Sequence, residues 1–320
     1  MRGILSYGAS VPHARLQRSA IGSFLGSGGG KGTRSVASHD EDTSTLAVAA
    51  GRQAVAEQRD RVEALWFATA EPTYLEKSNA GVIHAALRLD ESVPALDFGG
   101  AARSGIGALD TAARGSQRTL VTAADIRTGP ANSPDESAGG AAGAAILVGD
   151  EAAGPGVPEY LGGASITREF LDRWRTPGDA RTKGWEERFG ETQYLELGMT
   201  AWIDALSATG VGAAPGLDGT ESQEAVDHVL IAGPHSRANN GLAKKLARSA
   251  SVDHTSTIGN AGAAEAALQL ATYLETAEPG HLVALISLAD GADVLIFRVT
   301  DAITAHRPAR SIADQIEAGN

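Results

Sequence analysis

Two residues in the second half of the chain can donate a hydrogen bond to a developing negative charge. They are His235, in VLIAGPHSRANN, and Asn260, in TIGNAGAAEAAL. An imidazole N–H and an amide N–H aimed at one oxygen would form an oxyanion hole. His235 follows an apolar run that reads as a buried strand, and α/β proteins often place chemistry in the loop after a strand. Taken singly, each residue has a plainer role. A lone histidine is more often structural, and an asparagine before an alanine-rich helix is most often its cap. Taken together they define a candidate site. Glu71, in FATAEPTYLEKS, follows another strand pattern and offers a carboxylate for acid or base work, or else a solvated loop charge.

The segment ALDFGGAARSGIGAL, residues 95–109, reads as a buried strand running into a helix of small residues. It contains Ala102 and Ser104. Ser104 is a hydroxyl with no activating base near it in sequence, so a place inside the helix is favoured over nucleophilic work. Tyr194 and the tryptophans Trp174 and Trp185 either line a substrate channel or pack, with packing favoured for Trp174. The candidate substrate contacts are thus Ala102, Ser104, Tyr194 and Trp185, beside the catalytic candidates His235, Asn260 and Glu71. No metal site is expected. GSGGGKGT at 26–33 lacks the Ser or Thr directly after Lys31 that a phosphate-binding loop needs, and reads as a mobile loop. Asp40, Glu41 and Asp42 are adjacent in sequence and do not converge easily on one ion; Asp42 reads as a helix cap.

The elements that must position these residues alternate. Apolar runs at 3–11, 64–69, 95–98, 119–123 and 144–148 read as strands, with helical patterns at 43–57, 76–87 and 104–113. The second half repeats the theme. Strands are expected at 158–167, 228–232, 282–288 and 294–299, and helices at 192–209, 238–248 and 261–276. Strands alternating with helices imply an α/β fold. The expected division is 1–155, 156–300 and a tail at 301–320 that forms a short helix or docks on a partner. Residues 128–143 are expected to loop over an edge, and 174–188 to form a cap or lid.

Composition narrows the class. With 320 residues, 42% of them hydrophobic, the chain can bury a large core. Its formal charge of −12 argues against general nucleic-acid binding and a polybasic membrane anchor. No run approaches the roughly 18 apolar residues that span a bilayer, and the N-terminus has no signal-peptide pattern. The absence of cysteine excludes disulfides and thiolate zinc sites. A cytoplasmic protein is the simplest reading.

In order and spacing, these segments resemble the hydroxymethylglutaryl-CoA synthase and ketoacyl synthase III branch of the thiolase superfamily. The resemblance runs from about Arg2 to Val299. GTRSVASHDEDTSTLAVAAGRQAV is similar to the synthase's glycine-led segment and acidic helix start. AGPHSRAN, IGNAGAAEAAL and LISLADGADVLIF resemble the histidine segment, the asparagine segment and the closing hairpin. ALDFGGAARSGIGAL resembles the nucleophile strand and helix, with Ala102 where the family has its cysteine. The resemblance implies a thiolase fold, two similar halves in five αβαβα layers, and a homodimer or hetero-oligomer. It implies that His235 and Asn260 polarise a thioester carbonyl. It also pairs Ala70, rather than Glu71, with the family's catalytic glutamate.

Without a thiolate there is no covalent acyl intermediate. The expected function is a thiol-independent acyltransferase, or a C–C bond-forming or -cleaving enzyme, acting on an acyl-CoA or acyl-carrier thioester. The CoA thioester is then a substrate, with no covalently bound cofactor. Two alternatives stand beside it: a CoA-thioester retro-aldolase, and a non-catalytic scaffold for a thiolase or a zinc-ribbon/OB-fold protein.

Overall fold

A strand buried on both faces is mostly apolar, and its side chains alternate between two cores. LVALISL at Leu282–Leu288 does this: Leu282, Ala284, Ile286 and Leu288 enter one core, while Val283 and Leu285 enter another. VTAADI, the end of Thr119–Ile126, divides in the same way, with Val121 and Ala123 on one face and Ala124 on the other.

The computed structural model describes residues 2–26, 28–56, 58–131, 133–150, 156–179, 182–212, 225–306, 308 and 310–320. In the first part of the chain the elements are β1 (Arg2–Ser10), β2 (Arg15–Gln17), α1 (Arg18–Leu25), β3 (Thr33–Ser35), α2 (Thr43–Val55), β4 (Ala64–Thr69) and α3 (Asn79–Leu87). There follow β5 (Ala95–Gly99), α4 (Arg103–Arg114), β6 (Thr119–Ile126), α5 (Pro134–Ala138) and β7 (Ala141–Asp150). Next come β8 (Pro158–Ile166), β9 (Arg173–Trp174), β10 (Lys183–Gly184), α6 (Glu187–Thr209), β11 (His228–Ala232) and α7 (Ser236–Lys245). The chain closes with α8 (Glu265–Leu274), β12 (Leu282–Leu288), β13 (Ala292–Val299) and α9 (Ile312–Glu317).

Nine strands join in the order β11-β12-β13-β8-β1-β7-β6-β4-β5. The pairing repeats on either side of the middle. β1 is antiparallel to β7, β7 to β6, and β6 is parallel to β4. β8 is antiparallel to β13, β13 to β12, and β12 is parallel to β11. β1 and β8 meet antiparallel through Gly3 and Glu159, and β5 extends only the first series. Three cores fill the spaces between layers. One lies between α2, α3 and the first series. One lies between α6, α7 and the second series. The third surrounds α4 and α8, between the two series. Helix, strand, helix, strand, helix is the resulting five-layer αβαβα stack.

Small residues let α4 and α8 approach closely. A Cβ at Gly105 would lie 1.8 Å from the Ala263 carbonyl oxygen, so only glycine fits. Asp42 caps α2 by accepting from Thr45 N at 2.7 Å, as the sequence leads one to expect. The helix expected over 261–276 opens with a 3-10 turn at Gly262–Ala264 before α8 begins. Residues 128–143 are not a simple edge loop: Ser133 caps the short α5, and the chain then enters β7. The tail does not project outward. Gln315 is hydrogen-bonded to both Ala9 and Val11, and Asn320 to His13 and Arg15. Among the described residues no helix is long and apolar enough to cross a membrane.

Candidate active site

The parallel strands β4, β5 and β6 all end at one edge of the sheet, and Asp125 ties that edge to the start of α8. Asp125 is 1% exposed. It accepts from Thr69 Oγ1 at 2.7 Å, Ala70 N at 2.8 Å and Ala263 N at 2.7 Å. Burial pushes its carboxyl above the ordinary aspartate range, against the pull of these three donors. A Cβ at Gly262 would come within 2.1 Å of its Oδ2, and Gly262 also has φ +56°, so a side chain is excluded on both counts. Asn260 is held two residues before this glycine.

Asn260 has a single amide orientation. Its Oδ1 accepts from Arg127 Nη1 at 2.7 Å and Gly262 N at 3.1 Å, while its Nδ2 donates to the Gly233 carbonyl at 3.0 Å. Gly233 lies just after β11 and two residues before His235, so Asn260 is fastened to the histidine loop. His235 is buried and caps α7: its Nδ1 accepts from Ala238 N at 3.1 Å. Nδ1 therefore carries a lone pair, and the proton sits on Nε2, which donates to the Glu187 carbonyl at 2.8 Å. Both side chains thus present an N–H, and the Gly233 carbonyl ties the Asn260 amide to the His235 loop.

Ala102 occupies the N-cap position of α4, at the end of β5. Ser104 donates its hydroxyl to the Gly99 carbonyl at 3.0 Å and is bound within its own turn. Glu71 follows β4. Its carboxylate accepts from Arg175 Nη1 at 3.2 Å, and Arg175 Nη2 donates to the Ala70 carbonyl at 3.2 Å.

Arg175 belongs to the expected cap, whose described residues, 173–179 and 182–187, meet Asp135, Glu71 and His235. The β9–β10 hairpin carries Arg173, which pairs with Asp135 on α5, and the segment ends at the carbonyl held by His235. Trp185 is 58% exposed, with its ring 6.4 Å from that of Trp174. Tyr194 is 1% exposed and does not line an open channel. Its ring stands edge-on to His235 at 5.9 Å and to Phe170 at 5.0 Å. Its hydroxyl donates to the buried Asp172 at 3.3 Å and accepts from Asp290 N at 3.2 Å. The structure therefore sets Tyr194 against His235, ties Asn260 to the His235 loop through Gly233, links Glu71 to Asp125 through Thr69 and to Arg175, and leaves Trp185 on the outer surface.

Four residues of this constellation were not singled out in sequence: Asp125, Arg127, Asp172 and Arg103. Arg103 follows Ala102 and crosses to the second series, donating to Asp293 at 2.9 and 3.1 Å, Ser165 at 2.9 Å and Thr167 at 2.8 Å. A charged residue closing an apolar strand, as in VTAADIR, was the one signal that pointed to Asp125 and Arg127.

No family model matches the chain. A hydroxymethylglutaryl-CoA synthase of Methanopyrus kandleri is 28% identical over an alignment covering 94% of this chain and 88% of the relative. The chain is homologous to hydroxymethylglutaryl-CoA synthase. Among solved structures, an HMG-CoA synthase complexed with CoA superposes with a TM-score of 0.80 at 18% identity, covering 99% of this chain and 87% of that one. Xanthomonas campestris OleA with bound lauric acid and lauroyl-CoA superposes with a TM-score of 0.77 at 16% identity, covering 93% and 98%. The five layers are those of the thiolase fold shared with these proteins.

Proposed function

We propose that this homologue of hydroxymethylglutaryl-CoA synthase is a condensing-type enzyme that acts on a CoA thioester without forming an acyl-enzyme. One observation carries the reading. His235 and Asn260 are both N–H donors, Asn260 is fastened to the His235 loop through the Gly233 carbonyl, and the turn after Asn260 packs at Ala263 against Gly105 of α4, the helix that Ala102 opens. The thioester carbonyl oxygen would accept from His235 Nε2–H and an Asn260 Nδ2–H. Negative charge gathers on that oxygen as an enolate or a tetrahedral centre forms. Two such donors serve acyl transfer between bound partners, C–C bond formation and retro-aldol cleavage alike. Glu71 would move the proton, once Arg175 releases it. The Glu187 carbonyl now on His235 must also withdraw, so the cap opens when substrate binds. Domain limits of 1–155 and 156–300 are supported by the repeated strand pairing, and a cytoplasmic homodimer is part of the same reading.

The test is mass spectrometry of the chain mixed with a panel of acyl-CoAs, following protein mass and products. New products without an acyl adduct, lost in His235→Ala, support it. Unchanged turnover in that variant overturns it. The second reading is a scaffold subunit for an active thiolase or an OB-fold protein. It is favoured by the alanines at 70 and 102 and by the occupied Nε2 of His235. Turnover by the purified chain alone would exclude it.

A further inference from the structure

A cation hydrogen-bonded to Asn260 has no part in the mechanism so far. Arg127 follows β6 and its side chain is only 14% exposed. Its Nη1 donates to Asn260 Oδ1 at 2.7 Å, and its Nη2 lies 3.8 Å from Asp135 Oδ1. The other oxygen of Asp135 is taken by Arg173 of the cap, so two guanidiniums share one carboxylate. A third, Arg34, is 6% exposed and donates to the Arg127 carbonyl at 2.9 Å. The Nε atoms of Arg34 and Arg173 are buried without a hydrogen-bond partner. Asp125 and Glu265 also act on Arg127, and Glu136 on Arg34, so the guanidinium on Asn260 sits in a buried, charge-balanced cluster.

We propose that Arg127 is a positioning residue that locks the Asn260 amide with its nitrogen toward the site and strengthens it as an oxyanion donor. The proposal rests on the reading that Asn260 polarises a thioester carbonyl. An amide flip would turn the Asn260 NH2 group against two donors, Arg127 Nη1 and Gly262 N, so the flipped form is strongly disfavoured. In the locked form one Nδ2–H goes to the Gly233 carbonyl and the other is left for an incoming oxygen. A cation hydrogen-bonded to the amide oxygen draws electron density from the nitrogen, and hydrogen bonds in such a chain reinforce one another. Arginine suits this place because its guanidinium stays charged when buried and holds its donors in a fixed plane.

The chain has six asparagines, so selective 15N labelling of their side chains gives six amide pairs by NMR. Loss of one pair in Asn260→Asp identifies that of Asn260. The Asn260 pair should move toward the solvent-exposed amides in Arg127→Met and return partway in Arg127→Lys. This readout needs no turnover, so it stands or falls separately from the proposed function. An unmoved Asn260 pair in a folded Arg127→Met overturns the proposal, and Arg127→Gln, which also removes the charge, serves the same purpose if the methionine variant does not fold. With an acyl-CoA that the enzyme turns over, Arg127→Met should lower kcat by about 10²-fold and leave KM unchanged. An unchanged kcat would remove the strengthening role.

Discussion

At the scale of single residues, His235 is a donor because its second nitrogen is already committed. Nδ1 caps α7, so the ring presents its N–H at Nε2, where it meets the Glu187 carbonyl at 2.8 Å. Gly190 keeps the surroundings of that ring intact. A Cβ there would lie 2.6 Å from Asp172 Oδ1 and 3.2 Å from His235 Cδ2. Gly190→Ala should therefore cost roughly 1–3 kcal/mol by overpacking, read as a lower midpoint in urea unfolding. Arg103 answers to Asp293, whose side chain is nearly buried. In Arg103→Met that carboxylate keeps, among the described residues, the Ser165 hydroxyl as its side-chain donor. A stability loss of about 3 kcal/mol is expected in the same assay, because an uncompensated charge stays buried.

At the scale of elements, the cap from Arg173 to Glu187 is fastened by side chains more than by a core. Its ties are Arg173 to Asp135, Arg175 to Glu71, and the Glu187 carbonyl to His235. Exposed ion pairs are individually weak, about 0–1 kcal/mol. Arg175→Ala should thus speed amide hydrogen exchange across the cap while leaving exchange in β12 and β13 unchanged; equal exchange in the cap would count against a door held by these contacts. At the start of α8, Glu265 accepts from Ala261 N and Gln269 Nε2, each at 2.9 Å, with His254 Nδ1 3.8 Å away. Burial pushes its carboxyl upward, but His254 and these donors together hold it below the ordinary glutamate value. A lowered folded value means that the stabilisation is present above the unfolded pKa, about 4.3, and fades as pH falls through the folded one. Glu265→Gln should flatten this acid limb when unfolding free energy is followed against pH.

At the scale of the whole molecule, the tail belongs to the fold. Gln315 is 2% exposed, accepts from Val11 N at 3.0 Å and donates to the Ala9 carbonyl at 3.2 Å. Ile312 is buried nearby, in the core around α4 and α8. Gln315→Ala leaves the buried Val11 N–H without this acceptor, while the Ala9 carbonyl keeps Gln53 Nε2 at 2.7 Å, and should cost about 1–3 kcal/mol, seen as a lower Tm. An unchanged Tm would mean that the tail rests on the surface of β1 and does not brace it.

Much of the architecture was legible in the chain. Apolar runs marked β4, β11 and β12 at their observed limits, because a strand buried on both faces admits few polar residues. Small residues at 95–109 marked the turn into α4, and the Asp42 cap was readable from its position before a periodic segment. The tail helix was legible too, though not its place on the end of β1. The site was legible as residue types only. His235 and Asn260 are 25 positions apart in sequence, and their link through Gly233 exists only once β11 and α8 pack together. Asp125 and Arg127 are marked in the sequence only as charges closing an apolar strand, and their partners Ala263 and Asn260 lie more than 130 residues away. Local propensity sets where strands and helices form. Which donor faces which oxygen is decided by tertiary packing, because hydrogen bonds act over about 3 Å whatever the separation along the chain.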